Sequence, residues 1–220
     1  MRRDRRHRVP DGFPSHDFTA MNKLEAFNQA LFLAINGTLA SPAWQIGTAV
    51  LVADYVIYLV PLLLLGLWLW GNEVQRSLAI RACAVAMFGV GLNQLIGLVY
   101  QHPRPFMIDL GHTFLVHAPD SSFPSDHATV FAGIALTLLL GGARWVGGLT
   151  LLAGVSVAWA RVFLGVHFPL DMLGAVLVAC VAYVLIAPAW HLAGIAVTRW
   201  AIVVYRKLLA RPIDLGWLRR

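Results

Sequence analysis

Charged residues are scarce in this sequence. Asp, Glu, Lys and Arg make up 13% of its 220 residues, whereas a typical soluble domain carries about 25%. Because about 20 apolar residues in a helix cross the roughly 30 Å hydrocarbon layer of a membrane, several of the uncharged stretches are long enough to span. The composition therefore excludes a water-soluble, a disordered and a collagen-like chain. The uncharged stretches of 16 to 28 residues cover 26–53, 55–72, 82–103, 127–143, 145–160 and 172–198.

The sequence also has only two cysteines and lacks the alternating pattern of a β-strand. The two cysteines, Cys83 and Cys180, lie inside apolar stretches, where a free thiol behaves as a small hydrophobic group, so no disulfide scaffold is expected. The apolar stretches have the length of helices and do not alternate as strands do. We therefore predict an all-α fold, an integral membrane bundle of six transmembrane helices with an interfacial C-terminal helix. The predicted spans are 24–40, 44–70, 78–100, 127–142, 145–163 and 169–187.

Two segments permit a second interpretation. The first predicted span is short and contains Asn28, Gln29 and Asn36, so the alternative is an amphipathic helix lying in the membrane interface. Residues 189–204 are long enough for a seventh crossing, but Arg199 would then be buried, which favours an interfacial helix. The predicted organisation is a basic cytoplasmic N-terminal tail over 1–23, a membrane domain over 24–187 and a basic amphipathic tail over 188–220.

The positive charges indicate an orientation. With six crossings, 15 of the 17 Lys and Arg residues fall on one side of the membrane, and only Arg104 and Arg161 remain on the other. Cytoplasmic loops carry the excess of positive charge. The sequence thus predicts that both termini are cytoplasmic and that the long loop over 101–126 faces outwards. This explains the net charge of +6 without a nucleic-acid partner.

Three short polar strings carry the candidate chemistry. They are YQHPRPF around Arg104, FPSDHATVF over 123–131, and ARVFLGVHFPLD over 160–171. Ser125 precedes a predicted helix and suits the N-cap, where free backbone amides and the helix dipole form an anion site. Pro169 suits the first turn of the last span, which places Asp171 four residues after His167, close enough to orient its imidazole.

These residue types match phosphoryl transfer. Arginine binds phosphate oxygens in a bidentate manner and stays charged. An imidazole oriented by a carboxylate can attack phosphorus, and a second imidazole can protonate the leaving group near neutral pH. The sequence offers both imidazoles in His127 and His167. No pair among the loop residues His112, His117 and Asp120 has a convincing metal-ligand spacing, and no metal or other cofactor is expected.

The three strings resemble the signature of the type-2 phosphatidate phosphatase superfamily, which includes bacterial acid phosphatases and vanadium haloperoxidases. The order is RP, then PSxH, then R-x5-H-x3-D, and the resemblance covers about residues 24–187. It implies that His167 is the nucleophile, that His127 is the general acid and that Asp171 orients His167. It also implies that the phosphate is held by Arg104, Arg161 and Ser125, with Asp126 beside them.

Two positions depart from the superfamily pattern. The first motif usually has a lysine seven residues before its arginine, where this chain has Gly97; His102 or Gln101 are candidates for that role. Asp126 stands where glycine is common and adds negative charge beside the phosphate site. A further candidate is Asp54, which falls near the outer third of the second predicted span. An ionisable residue at that depth indicates function, and we expect it to pair with Arg104 or Arg161, or else to be an interfacial acid.

The strings PSDH, HPRPF and ARVFLGVHFPLDMLG, with VPLLLLGLWLWG in the second span, look like the bacterial undecaprenyl-diphosphatase branch. That resemblance implies an inner-membrane phosphatase, which removes the terminal phosphate of undecaprenyl diphosphate and recycles the carrier for peptidoglycan synthesis. Bacitracin resistance would follow from raised expression. The alternatives are a phosphatase of another lipid phosphate, such as phosphatidate or phosphatidylglycerol phosphate, a phosphotransferase, or a non-catalytic lipid-phosphate binding or transport protein. The oligomeric state is left open.

Overall fold

The protein is all-helical over residues 15–220, the part that the computed structural model describes, with side chains from Lys23 onwards. No strand occurs in this range. The expected basic tail over 1–23 lies almost entirely outside the described side chains. The helices are α1 (Ser15–Ile35), α2 (Ala43–Tyr55), α3 (Leu59–Leu69), α4 (Glu73–Val99), α5 (Asp126–Leu140), α6 (Arg144–Phe163), α7 (Pro169–Leu208) and α8 (Ala210–Asp214).

Four helical segments are long and apolar enough to cross a membrane, so the protein is a multi-pass membrane protein. They are Ala43–Leu69, in which a single 3-10 turn joins α2 to α3, together with α4, α6 and α7. The shorter apolar helix α5 packs against α4, α6 and α7 and is buried on most of its surface. Its 15 residues reach only about 22 Å, and its neighbours cover it from the lipid.

The polar strings all lie at one end of the bundle, which we call the site end. It contains the end of α4, the beginning of α5, the end of α6 and the beginning of α7. At the opposite end, Arg76 is buried and donates to the backbone carbonyls of Trp68 and Arg219. Its guanidinium also lies 4.6 Å from the ring centroid of Tyr205. The last residues of the chain are thereby attached to the α3–α4 turn.

The expected first crossing is not confirmed, because α1 is not among the described helices that are long and apolar enough to span. Two of its residues contact the site end: Glu25 lies beside His102, and Asn28 accepts a hydrogen bond from the backbone amide of Leu170. Farther along, the Asn36 side chain donates to the backbone carbonyls of His112 and Phe163. A helix that crossed the bundle would reach the site end only once. The physical reason is that the polar side chains of α1 find partners among the loops there, and its continuous apolar stretch is short.

No helix end marks the expected boundary at 187, which stays a prediction. One helix of 40 residues, α7, continues through Pro188 to Leu208. Proline removes one backbone hydrogen bond, but a helix tolerates this in a membrane where neighbouring groups compensate. Beyond the proline, α7 buries a single stripe and exposes its other faces, in agreement with a one-sided tail helix. The stripe consists of Gly194, Thr198, Ile202 and Tyr205.

Candidate active site

A cavity of about 510 Å³ opens at the site end. It lies between α4, the loop over 100–125, and the adjoining ends of α5, α6 and α7. Two imidazoles and two guanidiniums from three separate strings meet there, as predicted. The polar residues that line it are Asn93, Gln94, Gln101, His102, Arg104, His117, Asp120, Ser121, Asp126, His127, Arg161 and His167.

The His167 imidazole is buried and fixed in orientation. Its Nδ1 lies 3.0 Å from the backbone carbonyl of Ser122 and 3.3 Å from the Asp171 carboxylate. These two acceptors assign the ring proton to Nδ1, so Nε2 carries the lone pair. Burial lowers the pKa of His167 to about 4, although Asp171 opposes this shift. The ring is therefore neutral at neutral pH and has the form that a nucleophile requires.

Arg104 lies against the reactive nitrogen. Its Nη1 is 3.1 Å from His167 Nε2 and donates to the Val166 carbonyl at 2.8 Å. Its Nε donates to the Asp120 carboxylate at 2.8 Å. Burial on its own would raise the pKa of Asp120, but the hydrogen bond and charge of Arg104 outweigh it, and the pKa lies below the ordinary value. Asp120 is therefore ionised and holds the guanidinium beside His167.

Arg161 and His127 form the other half of the site. Arg161 is 3% exposed, and its Nη1 lies 3.4 Å from His127 Nε2. The Arg161 Nε is buried without a hydrogen-bond partner. A buried charged donor left unpaired costs free energy, so this guanidinium is suited to an anionic ligand in the cavity.

The amino end of α5 has the expected cap. The amide of Ala128 donates to Ser125 Oγ, 3.5 Å away, and Ser125 is fully buried. Ser125 is not among the residues that line the cavity, whereas Asp126 and His127 are. Asp126 and His127 thus reach the cavity, and the expected contact of Ser125 with phosphate stays a prediction. The Asp126 carboxylate accepts from Asn93 and Gln94 on α4, at 2.8 and 3.2 Å, so those amides link two helices.

The three supporting candidates, Gln101, His102 and Asp54, lie at different places around the site. Gln101 and His102 line the cavity, as does Gly97, but His102 faces the Glu25 carboxylate at 3.3 Å. Asp54 contacts neither arginine as an ion pair; Arg104 pairs with Asp120 instead. Asp54 lines a second cavity of about 410 Å³, which also includes His127 and Arg161. The expected ion pair of Asp54 is not formed among the described residues and stays a prediction, and Asp54 lies beside the site.

Sequence reasoning missed three residues of the site. Ser122 is fully buried and its hydroxyl donates to the Asp171 carboxylate. Asp120 and His117 were interpreted as ordinary loop residues, yet Asp120 binds Arg104 and the His117 ring lies 6.2 Å from that of His167. Their signal was weak, because all three lie in an irregular loop. The sequence signal for Ser122 is the pair of serines, Ser121 and Ser122, directly before FPSDH.

A helical membrane bundle with these paired imidazoles and arginines defines a class of phosphate-transferring enzymes. Residues 78–196 match the PAP2 superfamily. This match covers more than half of the chain, and the chain belongs to the superfamily. The family predicted from the three strings is thus confirmed.

Relatives and a solved structure agree with this assignment. The chain is 40% identical over 196 residues to the Escherichia coli (strain K12) protein named "Putative undecaprenyl-diphosphatase YbjG", covering 89% of this chain and 99% of that protein. It is 35% identical to undecaprenyl-diphosphatase BcrC of Bacillus subtilis (strain 168), covering 70% and 79%. A transmembrane PAP2-type phosphatidylglycerolphosphate phosphatase of Bacillus subtilis has a similar fold, with a TM-score of 0.56, 20% identity, and coverage of 76% and 86%.

Proposed function

We propose that this protein hydrolyses undecaprenyl diphosphate to undecaprenyl phosphate and inorganic phosphate, through a phosphohistidine on His167. The observation that carries the proposal is the pairing of Arg104 with His167 and of Arg161 with His127 around one cavity. The relatives named undecaprenyl-diphosphatase support the choice of lipid. The reaction returns the lipid carrier to peptidoglycan synthesis, and raised expression confers bacitracin resistance.

The first half-reaction follows from the geometry. His167 Nε2 attacks the terminal phosphorus, and the bond from phosphorus to the bridging oxygen breaks. Asp171 and the Ser122 carbonyl hold the Nδ1 proton and stabilise the positive charge that the ring acquires. His127, which takes up a proton when the anionic diphosphate binds beside it, gives that proton to the departing lipid phosphate. The two guanidiniums and the amides of the first α5 turn stabilise the charge on the equatorial oxygens.

The second half-reaction uses the same groups. A water molecule takes the place of the lipid phosphate, and His127 now removes its proton. The P–N bond to His167 breaks, and inorganic phosphate is released. Asp171 acts as an orienting group in both halves because it touches the ring and not the phosphorus.

A panel of lipid phosphates tests the proposed substrate. Purified protein should release inorganic phosphate from undecaprenyl diphosphate with a higher kcat/KM than from phosphatidate or phosphatidylglycerol phosphate. A preference for either glycerolipid would replace the proposed substrate and keep the chemistry. Binding of these lipids without phosphate release would indicate a transport or binding protein instead.

Vanadate is expected to inhibit competitively, because it can take the five-coordinate geometry of the transition state on His167. EDTA is expected to leave the rate unchanged, because guanidiniums and backbone amides balance the phosphate charge in this mechanism. Both are measured as phosphate release from the same detergent-solubilised sample. Strong inhibition by the chelator would contradict the mechanism as written.

We further propose that the site end faces outwards from the bacterial cytoplasmic membrane. Because the crossing of α1 is not confirmed, we infer the orientation from the spans that follow it. The positive-inside rule counts cations within about 15–20 residues of a span, and Arg2 to Arg8 precede the span that begins at Ala43 by more than that. Nearer the spans, nine cations lie towards the opposite end: Arg76, Arg81, Arg144, Arg199, Arg206, Lys207, Arg211, Arg219 and Arg220.

Cysteine labelling tests this orientation. Val116→Cys is placed on a fully exposed side chain of the site-end loop, and Leu208→Cys on an exposed position of the opposite end. In intact cells a membrane-impermeant maleimide should label the first and should reach the second only after lysis. The reverse pattern would place the site in the cytoplasm. Cys83 and Cys180 are replaced by alanine in both variants.

A further inference from the structure

The His102 ring lies between two carboxylates that come from different helices. Its Nε2 is 3.3 Å from Glu25 Oε2 on α1, and its Nδ1 is 3.9 Å from Asp171 Oδ1 on α7. The ring stacks on Tyr100 with centroids 5.8 Å apart and meets Phe168 edge-on at 5.3 Å. These aromatic contacts hold the His102 ring so that its two nitrogens face the two carboxylates.

The two oxygens of Asp171 differ in their partners. Oδ2 accepts from the Phe168 amide and the Ser122 hydroxyl and faces His167 Nδ1. Among the described residues, the basic group beside Oδ1 is His102, whose Nδ1 is buried without a hydrogen-bond partner. A separation of 3.9 Å is too long for a hydrogen bond. At this distance His102 limits the space into which the Asp171 carboxylate can turn.

We propose that Glu25 and His102 are a positioning pair for Asp171: Glu25 holds the His102 ring, and the Nδ1 side of the ring faces Asp171 Oδ1 and restricts the movement of that carboxylate. This inference rests on the proposed function, since Asp171 orients the nucleophile. It gives His102 a role different from replacing the missing lysine at Gly97. His102 acts through Asp171 and not on the phosphate.

The charges around the pair favour this assignment. A carboxylate oxygen faces each nitrogen of the ring, and a carboxylate accepts from an imidazole N–H. Glu25 is itself fixed, because Gln29 donates to its other oxygen at 3.0 Å. The other titratable group against His102 is Tyr100; Arg104, Arg161 and His117 face the His167 side. Asp171 thereby keeps one orientation while His167 gains charge during phosphoryl transfer.

Kinetics on the full-length protein test the pair, with p-nitrophenyl phosphate and undecaprenyl diphosphate as substrates. His102→Ala should lower kcat about 10- to 100-fold, the size of effect seen when a group that orients a ligand is removed, while KM stays unchanged. His102→Asn keeps a donor near the Nδ1 position and should recover part of the loss. Glu25→Ala should lower kcat less, and the double variant should be no slower than His102→Ala, because the two residues act in one chain.

The control is Glu73→Ala, which removes an exposed glutamate at the opposite end of the bundle and should leave kcat unchanged. Two results would overturn the pairing. One is a rise in KM with kcat unchanged in His102→Ala, which would indicate direct phosphate binding. The other is a double variant whose loss equals the product of the single losses, which would mean that the residues act separately.

A measurement independent of turnover separates this inference from the proposed function. In protein labelled with ¹⁵N-histidine, the titration midpoint of His167 should shift in His102→Asn, because Asp171, which touches the His167 ring, loses the group that restricts it. An unchanged midpoint would refute the positioning role of His102 even in a fully active enzyme. Failure of the parent protein to release phosphate from either substrate would refute the proposed function and leave this test of the pair intact.

Discussion

Replacing His167 with alanine is expected to lower kcat by at least about 10⁴-fold, the scale of loss when a nucleophile that acts with its partners is removed. The reason is that His167 Nε2 is the imidazole nitrogen directed at Arg104 in the cavity, and no phosphoenzyme can form without it. The measurement is single-turnover phosphate release, together with ³²P trapping of the phosphoenzyme after rapid denaturation.

The matched control is His112→Ala. His112 belongs to the same long loop, but its exposed side chain does not line the cavity, and its contacts with Asn36 use backbone atoms. This variant should retain parental kcat and form the phosphoenzyme. Substantial turnover by His167→Ala, or equal losses in both variants, would remove His167 as the nucleophile.

Replacing His127 with alanine should cause a loss that depends on the leaving group. An alkoxide departs with difficulty and needs a proton, whereas the oxygen of a phosphate group has a pKa of about 6 and needs it less. We expect a loss of about 10²- to 10⁴-fold in kcat on an alkyl phosphate, the usual contribution of a general acid. The loss should be smaller on p-nitrophenyl phosphate and on the diphosphate.

The comparison is made at the first half-reaction, by rapid-quench measurement of phosphoenzyme formation. His127 also serves as the base for its hydrolysis, so steady-state rates combine two effects. A loss of the same size for every leaving group would assign His127 to phosphate binding beside Arg161, which it contacts, and not to proton transfer.

The catalytic strings were predictable from sequence because each is local. A helix that begins after Ser125 and another that begins at Pro169 fix their first turns by capping chemistry, and the four-residue step from His167 to Asp171 spans one turn. Residues from the three strings come into contact because these helix ends lie at the same end of the bundle. That is why the cavity could be anticipated without knowing the helix packing.

The loop and α1 could not be predicted in the same way. The Ser122 and Asp120 contacts depend on the path of an irregular segment, and composition does not determine that path. A helix such as α1 has the length to cross and the polarity to lie flat, so the outcome depends on whether Asn28 and Asn36 find partners elsewhere in the chain. They do so at Leu170, His112 and Phe163, which no local pattern reveals.

The course of α1 bears on how small a working fragment of this enzyme can be. The part of the chain that matches the superfamily begins at residue 78, but Asn28 caps the helix that follows the nucleophile and Ala49 and Ala53 pack against the end of α6. Truncation at the family boundary would leave every catalytic side chain in place and remove the scaffold beneath it. Expression trials aimed at a minimal core should therefore retain the chain from Lys23.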